Sequence, residues 1–306
     1  MIASLRRAGR QYKKHRILLL LLVPALVWYG LFYYAPLYGI QLAFKDYRII
    51  DGIAGSPWVG LEHFRRMFSG TNDFPEILRN TVIISLYHLL FGFPAPIALA
   101  LLFQEIRFKR FRRIVQSVSY LPHFLSWVVL AGLITVFLSP SRGVVNYALQ
   151  GIGLDPIYFL GEKAYFRFTL IASDVWKEVG WGTVVYLAAI AGIDPHLYEA
   201  ARVDGAGRWK MIVRITLPGI LPVIVILFIL RVGHVLDGGF DQVLNLYNPA
   251  VYEVGDIIDT YVYRVGINQM QYGFTTAVGL FKNAVGFALL VTVNWIVKRL
   301  GQEGLF

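Results

Sequence analysis

The sequence predicts an all-α, polytopic membrane protein with six transmembrane helices. Three observations carry this. Of 306 residues, 57% are hydrophobic and only 16% charged, with a mean hydropathy of +0.56, an imbalance that a soluble domain of this length does not show. The apolar residues fall in runs long enough to cross a hydrocarbon core of about 30 Å. The net charge of +10 is concentrated beside those runs, which points to membrane topology rather than to nucleic acid.

The first span is expected at 17–44, after a tail bearing Arg6, Arg7, Arg10, Lys13, Lys14 and Arg16. The apolar run is too long for a signal peptide, so this span reads as uncleaved. A polar loop over 45–79 leads to a second span at 80–103, interrupted by Pro94 and Pro96. A short basic connection, 104–113, precedes a third span at 114–138 that contains Pro122 and His123. A fourth is expected at 168–190, a fifth at 219–236 and a sixth at 275–297. Prolines inside spans require neighbours that satisfy the freed carbonyls, so the spans should pack as a bundle.

Six spans place both termini on one side. The N-terminus, the 104–113 connection, the 191–218 loop and the C-terminus hold 17 of the 29 Lys and Arg, against 9 in the other three, longer loops. The first group is therefore expected in the cytoplasm. The domain reading is a single unit over 1–306: 1–78 as tail, first span and outer loop, and 79–297 as a five-span core containing the loop 193–218. The chain has no cysteine, which excludes disulfides and thiolate metal sites.

The 193–218 loop has a shape of its own. Asp194 can cap a short helix that starts at Pro195, where the missing N–H costs nothing. Gly205 stands where a left-handed residue would end that helix. A second short helix is expected over 208–216, broken by Pro218. Leu197, Ala200 and Ala201 share one face of the first helix, and the two alanines let another protein approach closely.

Within this loop Glu199-Ala200-Ala201 is followed after three residues by Gly205, and after nine more by Ile215-Thr-Leu217-Pro218. This spacing resembles the cytoplasmic signature of binding-protein-dependent ABC importer permeases, with every fixed position present. Trp58-Val-Gly-Leu, Asn80-Thr81, Tyr120-Leu-Pro122, Asp174-Val-Trp-Lys177, Gly239-Phe240-Asp241-Gln242 and Ala277-Val-Gly-Leu-Phe-Lys282 look like the carbohydrate importers of the lipopolysaccharide/polysaccharide-permease type. The resemblance implies uptake of oligosaccharides, sometimes acidic ones such as alginate fragments. It implies a second, similar permease subunit, a dimer of ATPase subunits that binds the ATP and Mg, and an external solute-binding protein. It assigns coupling to the ATPase to Glu199, Ala200, Ala201, Asp204, Gly205, Ile215, Leu217 and Pro218. Glu199 is expected to fix the loop by a charge-assisted bond to an Arg or Lys, nearby or on the partner. A bacterial inner membrane, with its lipid as a further partner, is the expected location.

Two other constellations stand out. Asp174, Lys177 and Glu178 share one face of the fourth span, near Trp176 and Trp181. Each charge near the bilayer centre costs about 2.5–3.5 kcal/mol, so this face must turn inward. It either lines a polar translocation path or forms a structural ion pair of Lys177 with Asp174 or Glu178. Phe240, Asp241 and Gln242, with Lys282 and Asn283 in the sixth span, offer the aromatic faces and planar acceptors that suit sugar rings. Gly279 and Gly286 read as sites of close helix packing. No phosphate-binding loop is present, so the chain should hydrolyse no ATP. His123 and His234 read as structural, and no enzymatic motif or resident cofactor is indicated. A secondary transporter or channel would accommodate the intramembrane charges but leaves the loop unexplained. A membrane glycosyltransferase would want carboxylates at one membrane face.

Overall fold

In the computed structural model, residues 16–70, 72–301 and 304–305 are described. The basic tail before Arg16, on which part of the topology argument rests, lies outside them. The described chain is helical, with a single isolated antiparallel bridge between Lys45 and Trp58. Four helices are long and apolar enough to cross a membrane: α1 (Ile17–Phe44), α2 (Phe74–Glu105), and two later ones. Between them lie α3 (Lys109–Tyr120), α4 (Trp127–Phe137), α5 (Lys163–Ala191) and α6 (Pro195–Val203). The third long helix is α7 (Arg208–Gly233); α8 (Phe240–Leu246) follows, and the fourth is α9 (Tyr272–Arg299).

The expected third span is not one helix. α3 with its 3₁₀ extension to Phe124 and α4 together are apolar enough to make a fifth crossing, but they meet at a bend of 107°. The break is local chemistry. Pro122 cannot donate to the preceding turn, and Ser126 starts the next helix by accepting from the N–H of Val129 at 3.4 Å. At 29 residues α5 is long enough to cross, at about 1.5 Å per residue, but Asp174, Lys177 and Glu178 keep it from qualifying on composition.

Prolines inside the spans are handled by a recurring device. In α1 the N–H of Ala35 reaches the carbonyl of Gly30, in α2 Phe93 reaches His88, and in α7 Leu217 reaches Ile212. Each is a bond to the fifth residue back, and each donor immediately precedes a proline: Pro36, Pro94 and Pro218. The widened turn gives the pyrrolidine ring room and lets the helix continue without its N–H. Pro218 was expected to break the chain before the fifth span; instead Arg208–Gly233 runs through it as a single helix.

Two compact units divide the described residues: those up to Arg65 with Gln271–Leu280, and those from Arg66 to Met270 with Phe281 onward. Within the first, the Lys45 ammonium donates to the carbonyl of Ile53 at 2.6 Å and sits 4.8 Å over the Trp58 ring. His63 Nε2 lies 2.9 Å from the Lys45 carbonyl, and Gly273 packs so closely there that a Cβ would meet that carbonyl at 2.8 Å.

In the second unit α5 is central. Ile84 from α2, Leu130 and Ile134 from α4, Phe166 and Leu170 from α5, and Val243 from α8 form one buried cluster. Toward the other end of α5, Tyr186 and Ile190 pack with Ala100 of α2 and Ile220 of α7. Close approach depends on glycine: a Cβ on Gly180 would fall 2.0 Å from the carbonyl of Ser119 in α3, and one on Gly182 would fall 2.8 Å from Pro96. Gly286 behaves as expected, its Cβ position lying 2.8 Å from the Gly233 carbonyl, but Gly279 faces open space.

The loop after α4 is organised by one amide. Asn146 donates to the carbonyls of Leu138, Ser139 and Ile157, each at 3.1 Å, and accepts from the N–H of Ile157 at 2.7 Å. The side chain is buried. Asn146→Ala strands these groups at about 1–3 kcal/mol, so a lowered apparent Tm in detergent is expected. An unchanged melting curve would remove Asn146 as the organiser of this loop.

Candidate functional site

The signature loop forms a closed, exposed knob. The Asp194 carboxylate accepts from the N–H of His196 at 3.0 Å, with Pro195 at the first helical position of α6. At the other end Gly205 has φ +73°. The N–H of Ala206 reaches the carbonyl of Ala201 at 2.8 Å, and that of Gly205 reaches Arg202 at 3.0 Å. These two bonds make a Schellman motif. Nothing lies within 4 Å of the Gly205 Cβ position, so its requirement for glycine is backbone conformation alone.

No residue of α6 is buried. Leu197, Val203 and Trp209 stand exposed, as do Ala200, Asp204 and Pro218, while Ala201, Ile215 and Leu217 are half-buried. The knob is tied to the rest of the chain from behind. Tyr198 OH lies 3.0 Å from Thr216 Oγ1, Gln104 Nε2 donates to Tyr198 OH at 3.4 Å, and Arg208 pairs with Glu105 at 3.3 Å. A cleft of about 650 Å³ runs between residues 104–107, α6 and the start of α7. Among the described residues Glu199 meets neither Arg nor Lys: its carboxylate lies 3.4 Å from His196 Nδ1 and is 64% exposed.

The charged face of α5 is met by two other elements: Asp174 pairs with α2, and Lys177 and Glu178 with the segment around His123. Asp174 bonds His88 Nδ1 of α2 at 2.8 Å. Glu178 bonds His123 Nδ1 at 2.9 Å, and the His123 ring stacks on Trp181 with centroids 4.8 Å apart. Lys177 is only 7% exposed. Its ammonium donates to the carbonyls of His123 at 2.7 Å and Leu125 at 3.0 Å, with Glu178 at 3.5 Å and the Trp127 ring at 5.7 Å. Those carbonyls flank the α3–α4 bend, so Lys177 caps the broken helix. Trp176 points elsewhere, into a largely apolar cavity of about 880 Å³ shared with Tyr87, Phe91 and Arg167.

The residues after α7 also divide. Gln242 is buried and donates to the Leu170 carbonyl at 2.6 Å and Ser173 Oγ at 2.8 Å, which docks α8 on α5. Phe240 lies against Tyr263, centroids 5.8 Å apart, and Asp241 is exposed. Lys282 is held between Asp237 and Asp259, 2.6 Å from each, and Asn283 beside it is exposed. Partial burial works against the charge on Asp237, but Lys282 and His234 outweigh it and hold that carboxyl below its ordinary range.

Several structural contacts carried no sign of their partners in the sequence. Arg167 donates to Asn80 at 2.8 Å and to the Val254 carbonyl at 3.0 Å. Thr81 Oγ1 accepts from the N–H of Ile258 at 2.9 Å, and Arg264 pairs with Asp256. The partners of Arg167 and Thr81 lie 87 and 177 residues away, beyond the reach of any local signal.

Apolar helices long enough to cross a membrane, carrying an exposed knob closed at both ends beside a basic connection, fit a membrane transport component. Residues 92–302 match the family of binding-protein-dependent transport system inner membrane components, and the chain belongs to that family. It is 44% identical over 293 residues to the polygalacturonan/rhamnogalacturonan transport system permease protein YteP of Bacillus subtilis (strain 168), covering 96% of this chain and 91% of that one. Protein LplB of the same organism is 44% identical over 294 residues, covering 96% and 92%. Among solved structures, a chain of a bacterial alginate ABC transporter in complex with alginate pentasaccharide-bound periplasmic protein superposes with a TM-score of 0.90 at 43% identity, covering 98% of this chain and all of that one. Secondary transport and glycosyl transfer are thereby set aside.

Proposed function

We propose that this chain is one half of the transmembrane pathway of an ABC importer for an acidic oligosaccharide delivered by an external binding protein. The sugar class is supported by the relatives, which are named for polygalacturonan, rhamnogalacturonan and alginate. The other half is a second, homologous permease subunit, and the chain is a single permease domain with its core over 79–297. Six crossings, with α5 among them, place both termini in the cytoplasm.

The observation that carries the mechanism is the exposed α6 knob, closed at both ends and uncovered on its apolar side chains. It docks in a cleft of a separate ATPase dimer, which binds the ATP and Mg. Closure of that dimer moves the knob as a lever and switches the pathway between inward- and outward-facing states. Because the chain lacks cysteine, Ala200→Cys provides a unique cross-linking site. Cross-linking to the ATPase subunit in membranes is the expected result; a product only with lipid or with the second permease would defeat the docking.

The chain by itself is expected neither to bind nor to hydrolyse ATP, with turnover appearing only when its ATPase partner is added. ATP turnover by this polypeptide free of contaminants would overturn that division of labour.

A further inference from the structure

Three cations lie within the spans expected from the sequence: Lys177, Arg231 and Lys282. Lys177 is held by two carbonyls and Glu178, and Lys282 by two carboxylates. Arg231, in the last turn of α7, is exposed and meets no carboxylate within 4 Å among the described residues. Near a helix end a long cationic side chain reaches toward the interface or a polar group.

Beside it is a recess lined by Ser85, His88, Arg231, His234 and Asp237. Ser85 and His88 are 4% and 5% exposed, yet Ser85 Oγ and His88 Nε2 have no hydrogen-bond partner. Buried polar atoms are nearly always paired, so two orphans in one recess mark a place built for a polar group. Its volume is about 10 Å³, room for one oxygen atom and not for a ring.

The chemistry of the recess is specific. Asp174 accepts from His88 Nδ1, so a neutral His88 ring presents a lone pair at Nε2. That nitrogen accepts from a hydroxyl, and Ser85 Oγ can donate or accept. The Arg231 guanidinium is a fork for a carboxylate. The nearby carboxylate of Asp237 is held by Lys282, which it shares with Asp259, and by His234, so its oxygens already have partners.

We propose that Arg231, His88 and Ser85 form a subsite for one uronate unit of the passing oligosaccharide: Arg231 binds the carboxylate while a hydroxyl of the same sugar enters the recess between His88 Nε2 and Ser85 Oγ. This inference rests on the acidic-oligosaccharide reading above. Asp174 acts here as a positioning residue, holding the tautomer of His88.

The test uses the complete importer in lipid nanodiscs without ATP, and measures equilibrium binding of trigalacturonate and of its neutral methyl ester. The wild type is expected to favour the acid by about tenfold or more, the scale of one charged hydrogen bond. Arg231→Gln brings the ratio close to one with assembly intact, and Arg231→Lys keeps most of it. Ser85→Ala weakens both ligands alike, by a few fold. A preserved ratio in Arg231→Gln overturns the subsite while leaving the acidic substrate standing. Loss of the second permease subunit in Arg231→Gln, with Ser85→Ala binding both ligands normally, assigns Arg231 to a subunit contact and also overturns it. A wild type that favours neither ligand removes the acidic-substrate reading, and the subsite with it.

Discussion

Gly205→Val is expected to insert in the membrane at normal yield and to support no uptake. At φ +73° a side chain meets the following carbonyl, which costs a residue with a Cβ about 1–2 kcal/mol and a β-branched one more. There is open space around the Cβ position, so no neighbour is displaced and the bundle itself is untouched. The strain falls on the two hydrogen bonds from Gly205 and Ala206 that close the end of α6. Relaxing it re-aims Ala206 and Gly207, and with them the knob relative to the start of α7. Gly205→Asn, which tolerates the left-handed region, should retain part of the activity. Uptake into vesicles, normalised to membrane yield, reads the effect; normal transport by Gly205→Val would mean that the turn geometry is dispensable.

Lys177→Met is expected to lower the yield of assembled complex sharply. The ammonium is buried and satisfies two carbonyls at the α3–α4 bend. Its removal leaves both uncapped, at about 1–3 kcal/mol each. The geometry further predicts that neutralising Glu178 does not help. Glu178 keeps its bond to His123 and is 42% exposed, so the groups orphaned by the substitution are carbonyls rather than a carboxylate. Lys177→Met and Lys177→Met/Glu178→Gln should therefore assemble equally poorly, as read by size-exclusion chromatography of the tagged complex. Normal assembly of the single variant with reduced uptake would restore Lys177 to the wall of the translocation path. Recovery in the double variant would instead make the pair with Glu178 the essential contact.

The two sites differ in how far the sequence reveals them. The knob is built from contacts within five residues: the Asp194 cap, Pro195 at the helix start, and the two bonds that end at Gly205. Short-range chemistry of that kind is written in residue order, and both caps stand where the pattern places them. The charged and polar residues of α5 and α8 are another matter. Asp174, Lys177 and Glu178 share a helical face, as their spacing requires, but Asp174 goes to His88, 86 residues away, while Lys177 and Glu178 meet each other and His123, 54 and 55 residues away. Gln242, grouped with the sugar-facing residues on composition, is a buried clamp between α8 and α5.

What the sequence determined by itself was the membrane class, the apolar runs and the closed shape of the 193–218 loop, because these follow from hydropathy, charge placement and capping within a few residues. Only the tertiary structure decided the sharp bend between α3 and α4 and the unbroken passage of α7 through Pro218. It alone separated Lys177, sealed against two carbonyls, from Arg231, left open beside Ser85 and His88. The reason is physical: whether the cost of a charge or a proline inside a helix is met depends on which distant carbonyl, carboxylate or widened turn the packing brings alongside.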